Sequence, residues 1–374
     1  MNNKPIRILH VLGGLNLGGA ETMIMNYYRN IDKNKIQFDF IIHSNHKQFY
    51  EDEILSMGGK IYRLPKYRIV NHFKYKKAWK KFFNEHPEYK IIHGHMRSTA
   101  VIYLKIALDF KLLTISHSHS TDNGKGIISL IKNIYCKNII KYSNYCFACS
   151  DEAAVWLFGN NILSSNKYLR LKNAIDLDKY KYNERIRKSV KKKLGVENDF
   201  VIGHIGRFCY QKNHKFLVAI LQKMINLGYK NVKLLLIGNG ELKKSIIEQC
   251  ELLNIRENVI FLENRTDVNE LLQAMDVFCF PSFHEGLGIV SIESQASGLP
   301  TIVSNNVPSS VLLTNNILQL PLEEEIWIEE IVRIMNNKMK RKDNCLLLKT
   351  HGYDIKTESC KLENYYISLS ENNR

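Results

Sequence analysis

The sequence predicts an α/β protein made of two Rossmann-like domains, each a doubly wound parallel sheet. Three observations carry this expectation. Short, continuously apolar runs recur along the chain with helix-like stretches between them, as in parallel strands covered on both faces. The alternation begins afresh after LKNAIDLDKY at 171–180. A length of 374 residues also exceeds what one hydrophobic core ordinarily organises.

In the first half the expected strands are IRILHV (6–11), FDFIIH (38–43), IIHGH (91–95), LLTISHS (112–118) and YCFACS (145–150). AETMIMNYYRN (20–30) and RSTAVIYLKIALDF (97–110) read as helices between them. A lysine-rich helix, NERIRKSVKKKLG (183–195), opens the second half. The strands that follow are FVIGHIG (200–206), VKLLLIG (232–238), VIFLE (259–263), VFCFPS (277–282) and TIVS (301–304). No repeat or low-complexity segment interrupts the scheme.

The composition is that of an ordinary globular chain, 45% hydrophobic and 24% charged. The opening MNNKPIRILHVLGG runs directly into a strand, so no signal peptide is expected. No apolar run approaches the roughly 18 residues that span a bilayer. The eight cysteines are scattered. The close pair Cys146 and Cys149 lacks a second pair to complete a zinc site and reads as reduced thiols of a buried strand. These features together predict a cytoplasmic protein.

The net charge is +16 and unevenly spread. Residues 1–176 carry 26 Lys and Arg against 13 Asp and Glu, whereas 177–374 carry 27 against 24. The densest stretch, 60–83, interleaves Lys66, Arg68, Lys74, Lys76 and Lys77 with Tyr67, Phe73, Tyr75 and Trp79. Two readings fit it: a solvated lysine-rich face, or a surface facing an anionic membrane or substrate. Nucleic acid is not an expected partner, because no recognition motif accompanies the charge.

Ligands of open parallel sheets bind beyond the carboxyl ends of the strands, and two such domains facing each other would make a cleft. The chemistry should therefore follow the strands. After the first comes GGLNLGGAE, with Gly18 and Gly19 opening a helix whose amino end favours an anion. It departs from the dinucleotide pattern G-x-G-x-x-G, and the second strand ends in His43 and Ser44 without an acidic residue. A nicotinamide or flavin enzyme is thereby disfavoured; a plain tight turn stays open.

His93 and His95 end one strand, and His117 and His119 another. Alternate spacing puts each pair on one face. That is half a metal site without an evident third ligand; substrate contact and a hydrogen-bonded structural role are the other readings. In the second half, GRFCYQKNH (206–214) places Gly206, Arg207 and Lys212 ahead of a helix, a set suited to a diphosphate. IGNGE (237–241) supplies a further turn at Gly238 and Gly240.

FHEGLGIVSIESQASGLP (283–300) places Glu285 on a loop with Gly286, Leu287 and Gly288. A helix is expected to begin near Gly288 or Ile289, with Glu293 close to its amino end. The carboxylates are separated along a ligand and do not flank one bond, unlike a hydrolase dyad. A sugar joined to a nucleotide offers two groups of hydroxyls with phosphates between them.

Taken together, GGAE (18–21), GRFCYQKNH, IGNGE and the E-x7-E stretch Glu285–Glu293 resemble the retaining glycosyltransferases of family 4, with the GT-B fold. SHSHST, CSDEAAVWLFG (149–159) and LKNAID (171–176) resemble the members that build bacterial exopolysaccharides and capsules. The resemblance implies an N-terminal acceptor-side domain over 1–175, a nucleotide-sugar domain over 176–352, and a last segment, 353–374, whose helix (357–369) crosses back to the first domain.

It also implies roles. Glu285 would hold donor-sugar hydroxyls and Glu293 the ribose. Arg207 and Lys212 would neutralise the diphosphate. Backbone amides at Gly18, Gly19 and Leu287 to Ile289 would add donors. His117 matches the strand-end histidine that meets the sugar, with His119 close enough to exchange places with it. Arg265 and Thr266 lie where the family's loop meets the base. No metal or other cofactor is implied, and the DLD of Asp176 and Asp178 falls in the linker.

The implied reaction moves a sugar, with retention, from a nucleotide-sugar, UDP before GDP, to a polyprenyl-diphosphate-linked glycan. It would take place on the inner face of the cell membrane, with 60–83 and the stretch 126–142 docking there. Two other readings bind the same donor: an epimerase or hydrolase on the same fold, and a non-catalytic sugar-nucleotide-binding protein.

Overall fold

The computed structural model describes residues 4–119, 136–337 and 341–371. The chain divides into two compact units, Met1–Ile175 with Asp354–Arg374, and Asp176–Tyr353.

Among the described residues the first unit holds seven parallel strands: β1 (Ile6–Val11), β2 (Ile36–Ile42), β3 (Ile61–Arg63), β4 (Ile91–Gly94), β5 (Leu113–Ser118), β6 (Tyr145–Ala148) and β7 (Tyr168–Arg170). Their order is β3-β2-β1-β4-β5-β6-β7, so the winding reverses between β1 and β4. The register pairs His10 with His93 there. The second unit holds β8 (Phe200–Ile205), β9 (Val232–Ile237), β10 (Val259–Leu262), β11 (Val277–Phe280), β12 (Thr301–Ser304) and β13 (Ile317–Leu320). Their order is β10-β9-β8-β11-β12-β13, reversing between β8 and β11. An open parallel sheet parts its loops at such a reversal, and that is where ligands enter.

Three strands were not predicted: β3, β7 and β13. All lie at sheet edges and are only partly buried. An edge strand needs no continuous apolar run, so IYR and YLR carry no strand signal.

The helix Ile355–Glu371 belongs to the first unit. Its Leu362, Tyr366 and Leu369 enter the core with Tyr27 and Tyr28 of the helix Gly19–Asn30 and with Phe38 and Phe40 of β2. The helix His72–Glu85 accounts for most of the aromatic–basic stretch. It buries Tyr75, Trp79, Phe82 and Phe83, a stripe at helical spacing, and turns Lys74, Lys77, Lys80 and Lys81 to water. Ile69, Val70 and Phe73 just before and within its first turn are almost wholly exposed. Of the stretch 126–142, residues 126–135 lie outside the described residues, and Lys137–Tyr142 forms a 3-10 turn. No helix among the described residues is long and apolar enough to cross a membrane.

Candidate active site

In the second unit the loops after β8 and β11 meet at the winding reversal. Gly206 follows β8, and a Cβ there would come within 3.0 Å of His204 Nε2 and 3.2 Å of Lys212 Cδ. The chain then makes a 3-10 turn, Tyr210–Lys212, and enters the helix His214–Asn226 through Asn213 in the left-handed conformation, φ 53°. Three contacts tie this loop to the one after β11. The Gln211 amide donates to the His284 carbonyl at 2.7 Å. The Phe283 N–H donates to the Gln211 carbonyl at 2.8 Å. The Tyr210 and Phe283 rings stack at 4.8 Å.

Lys212 and Glu285, 73 residues apart in sequence, are joined by these loops: Lys212 Nζ donates to Glu285 Oε1 at 2.6 Å. The ammonium also lies 4.5 Å from the centroid of the Phe280 ring. The lysine side chain is 17% exposed and the carboxylate 8%. Glu285 was expected to project from its loop toward a ligand; here it is buried against the cation that was expected to serve the diphosphate. Two opposite charges that leave water together are held more cheaply as a pair than apart.

Glu293 lies one turn inside the helix Ile289–Ala296, which begins where it was expected to. Gly288 caps that helix at φ 79°, and a Cβ would strike the Phe280 ring at 2.7 Å, so only glycine fits. The Glu293 carboxylate accepts from the Tyr180 hydroxyl at 2.8 Å. Burial pushes its pKa up to about 7, and the Tyr180 hydrogen bond opposes that rise. Its partner is thus the hydroxyl of a partly buried tyrosine and not the helix end. Leu287 is buried; Gly286 and Ile289 are partly buried.

The other predicted residues of this unit lie nearer the surface. Arg207 is exposed and pairs with Glu241 at 3.0 Å. Gly238 and Gly240, after β9, lie so close to the backbone of Gly206 and Phe208 that no side chain would fit. Arg265 and Thr266 are exposed in the loop after β10, and Arg265 pairs with Asp267 at 2.8 Å.

The first unit places different chemistry at its own winding reversal. His93 and His117 are joined through Nε2 and Nδ1 at 3.2 Å, and His95 and His119 through Nδ1 and Nε2 at 2.8 Å. His10 of β1, which sequence reasoning did not single out, joins them: its Nδ1 lies 2.9 Å from His95 Nε2. Burial holds all five imidazoles neutral, with the His10 pKa lowered to about 3 and that of His119 to about 4. The missing third ring is therefore present. Nitrogens of His10, His93 and His95, and of His95, His117 and His119, lie within 4.8 Å of one another. Gly18 caps the helix Gly19–Asn30 close to the Glu21 carboxylate, whereas a Cβ at Gly19 would meet nothing within 4 Å. A cavity of about 520 Å³ opens at the other end of this sheet, by the first residues of β5 and β6, with Lys111 and Lys167 on its wall.

Three site residues thus lay outside the motifs: His10, Tyr180 and Tyr366, whose hydroxyl lies 2.6 Å from His93 Nδ1. A lone histidine in IRILHV reads as core, and the two tyrosines come from distant segments. His10 had one usable signal, since it occupies the second-last position of a central strand.

A doubly wound sheet in each unit, with polar groups gathered where the winding reverses, is the architecture of the GT-B glycosyltransferases. Comparison with known proteins agrees. The model for Glycosyltransferase Family 4 matches residues 17–179, and that for Glycosyl transferases group 1 matches 186–344. EpsF of Bacillus subtilis (strain 168) is 33% identical over 98% of this chain and 97% of its own length. An Escherichia coli UDP-Gal:alpha-D-GlcNAc-diphosphoundecaprenol alpha-1,3-galactosyltransferase is 29% identical over 54% of each chain. Among solved structures, Anabaena Alr3699/HepE in complex with UDP-glucose superposes with a TM-score of 0.80 at 18% identity, covering 97% of this chain and 99% of that one. The chain belongs to the family 4 glycosyltransferases, in the group that serves exopolysaccharide and capsule synthesis.

Proposed function

We propose that this enzyme transfers a sugar, with retention and without a metal, from a UDP-sugar to a glycan carried on a polyprenyl diphosphate. The buried Lys212–Glu285 pair at the reversal of the second sheet carries the reading. A diphosphate arriving there takes Lys212, which frees Glu285 to accept hydrogen bonds from sugar hydroxyls. One ligand bearing both groups satisfies both charges, which a phosphate or a sugar alone does not. Arg207 adds a second cation, and the amides of Leu287 to Ile289 add donors at a helix end. Glu293 takes the ribose diol in place of the Tyr180 hydroxyl. Arg265 and Thr266 serve the base. Gly18, Gly19, His117 and His119 are assigned to phosphate and sugar contacts. The HepE complex with UDP-glucose and the galactosyltransferase's UDP-Gal donor support UDP.

In the reaction the bond from the anomeric carbon to the phosphate oxygen breaks, leaving oxocarbenium character on the sugar. The acceptor hydroxyl attacks from the same face and passes its proton to the departing phosphate. Charge grows on that phosphate, so Lys212 and Arg207 lower the barrier by stabilising it.

The acceptor is assigned to the first, basic unit (residues 1–175 with the C-terminal helix). The galactosyltransferase's diphosphoundecaprenol acceptor supports a lipid carrier. Exposed Ile69, Val70 and Phe73 beside Arg68, Lys74 and Lys77 support docking on the cytosolic face of an anionic membrane. Sedimentation with anionic liposomes at low salt should carry the protein down, and a protein that stays in solution would overturn the docking.

Thermal unfolding with a panel of UDP- and GDP-sugars in EDTA tests the donor. A UDP-sugar should raise the midpoint of the wild type and not that of Glu293→Ala. Stabilisation by GDP-sugars alone, or only when EDTA is replaced by a divalent ion, would contradict the reading.

A further inference from the structure

The five histidines form two flat rows. In the first, His10, His95 and His119 are linked at 2.9 and 2.8 Å, with ring planes 23° and 27° apart. In the second, His93 and His117 are linked at 3.2 Å with planes 20° apart. Centroid separations of 5.1–5.2 Å along each row are those of rings bonded edge to edge. The rows stack face to face, His93 on His95 at 4.5 Å and His117 on His119 at 4.0 Å. A shared metal ion needs lone pairs that converge. Imidazole lone pairs lie in the ring plane, so these point along the rows.

A neutral imidazole has one N–H and one acceptor nitrogen, so a hydrogen-bonded row has a direction. The first row ends on nitrogens without partners among the described residues at both ends, His10 Nε2 and His119 Nδ1. Either direction leaves the same number unmet. The second row is different, because its inner end meets the buried hydroxyl of Tyr366 at 2.6 Å.

Suppose the hydroxyl donates to His93 Nδ1. His93 then carries its proton on Nε2 and donates to His117 Nδ1, and His117 carries its own on Nε2. One group is unmet, the buried His117 Nε2–H at the far end of the row from Tyr366. With the row reversed, His117 Nε2 is an unmet acceptor and the Tyr366 proton is also stranded in the core. Buried polar groups are rarely left unmet, so the first direction prevails.

We infer that Tyr366, on the C-terminal helix, is a positioning residue that acts through His93 to fix His117 as the Nε2–H tautomer, a hydrogen-bond donor to an oxygen of the bound ligand. That His117 faces a sugar donor rests on the function proposed above; the tautomer does not. Such a donor suits a sugar hydroxyl oxygen or a phosphate oxygen, and it refuses a ligand group that presents only N–H protons. It also separates the roles of His117 and His119, whose row has no such fixed end.

Long-range ¹H–¹⁵N correlation of the full chain labelled with ¹⁵N-histidine reads tautomers directly. His117→Gln and His93→Gln assign the signals. At pH 7.5, without ligand, His93 and His117 should both show the Nε2–H pattern. Tyr366→Phe removes one oxygen and keeps the ring; the His117 pattern should then move toward a mixture while the unfolding midpoint stays within a few degrees. An Nδ1–H pattern at His117 in the wild type would overturn the inference, and that measurement needs no variant to fold. An unchanged His117 pattern in a folded Tyr366→Phe protein would overturn it as well. Failure of every UDP-sugar to bind, with these tautomers observed, would count against the proposed function alone.

Discussion

Both units fold as doubly wound sheets and both put their polar groups where the winding reverses, yet the chemistry at the two reversals is opposite. The first holds five neutral imidazoles linked to one another. The second holds a buried ammonium–carboxylate pair and a second carboxyl tied to a phenol. A neutral row can order hydroxyls and pass on a hydrogen-bond direction, but it cannot neutralise a diphosphate. A charged pair can exchange its partner for a charged ligand. The fold fixes where a site lies, and only the side chains decide what it accepts.

Acid should separate the two regions most strongly. The pKa values of these five imidazoles lie below the ordinary 6.5 in the folded first unit, so the unfolded chain binds protons first as pH falls. Stability is complete above 6.5 and is lost as pH drops toward 4, by about 1.4 kcal/mol per pH unit for each histidine that resists protonation. The second unit has two such residues, His204 and His214. Glu293 opposes them there. Hydrogen exchange between pH 7 and 4.5 should therefore open β1, β4 and β5 before β8 and β11. Simultaneous opening would mean that the imidazole rows are not what resists the proton.

Replacing Lys212 by alanine should come next in size. Transfer should fall by about 10²- to 10³-fold in kcat/KM, since a preorganised charge on the leaving group is lost. Arg207→Ala should cost less, about tenfold, because this arginine is exposed and must leave Glu241 to reach a ligand. Equal losses in steady-state kinetics would mean that burial of the pair confers nothing.

Glu293 gives a smaller effect of opposite sign to the histidines. Its carboxyl, raised to about 7 by burial, favours the folded state when protonated. That contribution is full below about 4.5 and is lost as pH rises to about 7, amounting to about 3 kcal/mol. Glu293→Gln keeps an acceptor for Tyr180 and should flatten the urea-unfolding profile between pH 5 and 7.5. A ribose diol donates to the ionised form, so UDP should bind up to about tenfold more tightly at pH 8 than at pH 6.

The central strands were legible because burial on both faces demands unbroken apolar runs. The edge strands β3, β7 and β13 escape that demand and were missed. At the site, the glycine turns announced themselves by residue type, and so did Lys212, Glu285 and Glu293. Their pairing did not, because it joins loops 73 residues apart. Tyr180 reaches Glu293 from 113 positions away and Tyr366 reaches His93 from 273. Motif spacing reports neighbours along the chain, and these partners are set by topology.

Calorimetric titration of UDP in EDTA, on the wild type, Lys212→Ala and His117→Gln, tests the division of labour most directly. Lys212→Ala should weaken UDP by about tenfold or more, as loss of a charge-assisted contact does. His117→Gln should leave it within about twofold, because UDP lacks the transferred sugar, whose hydroxyls are what the neutral imidazole would order. Unchanged affinity in Lys212→Ala, or loss of UDP binding in His117→Gln, would contradict the assignment of charge to one unit and hydroxyl recognition to the other.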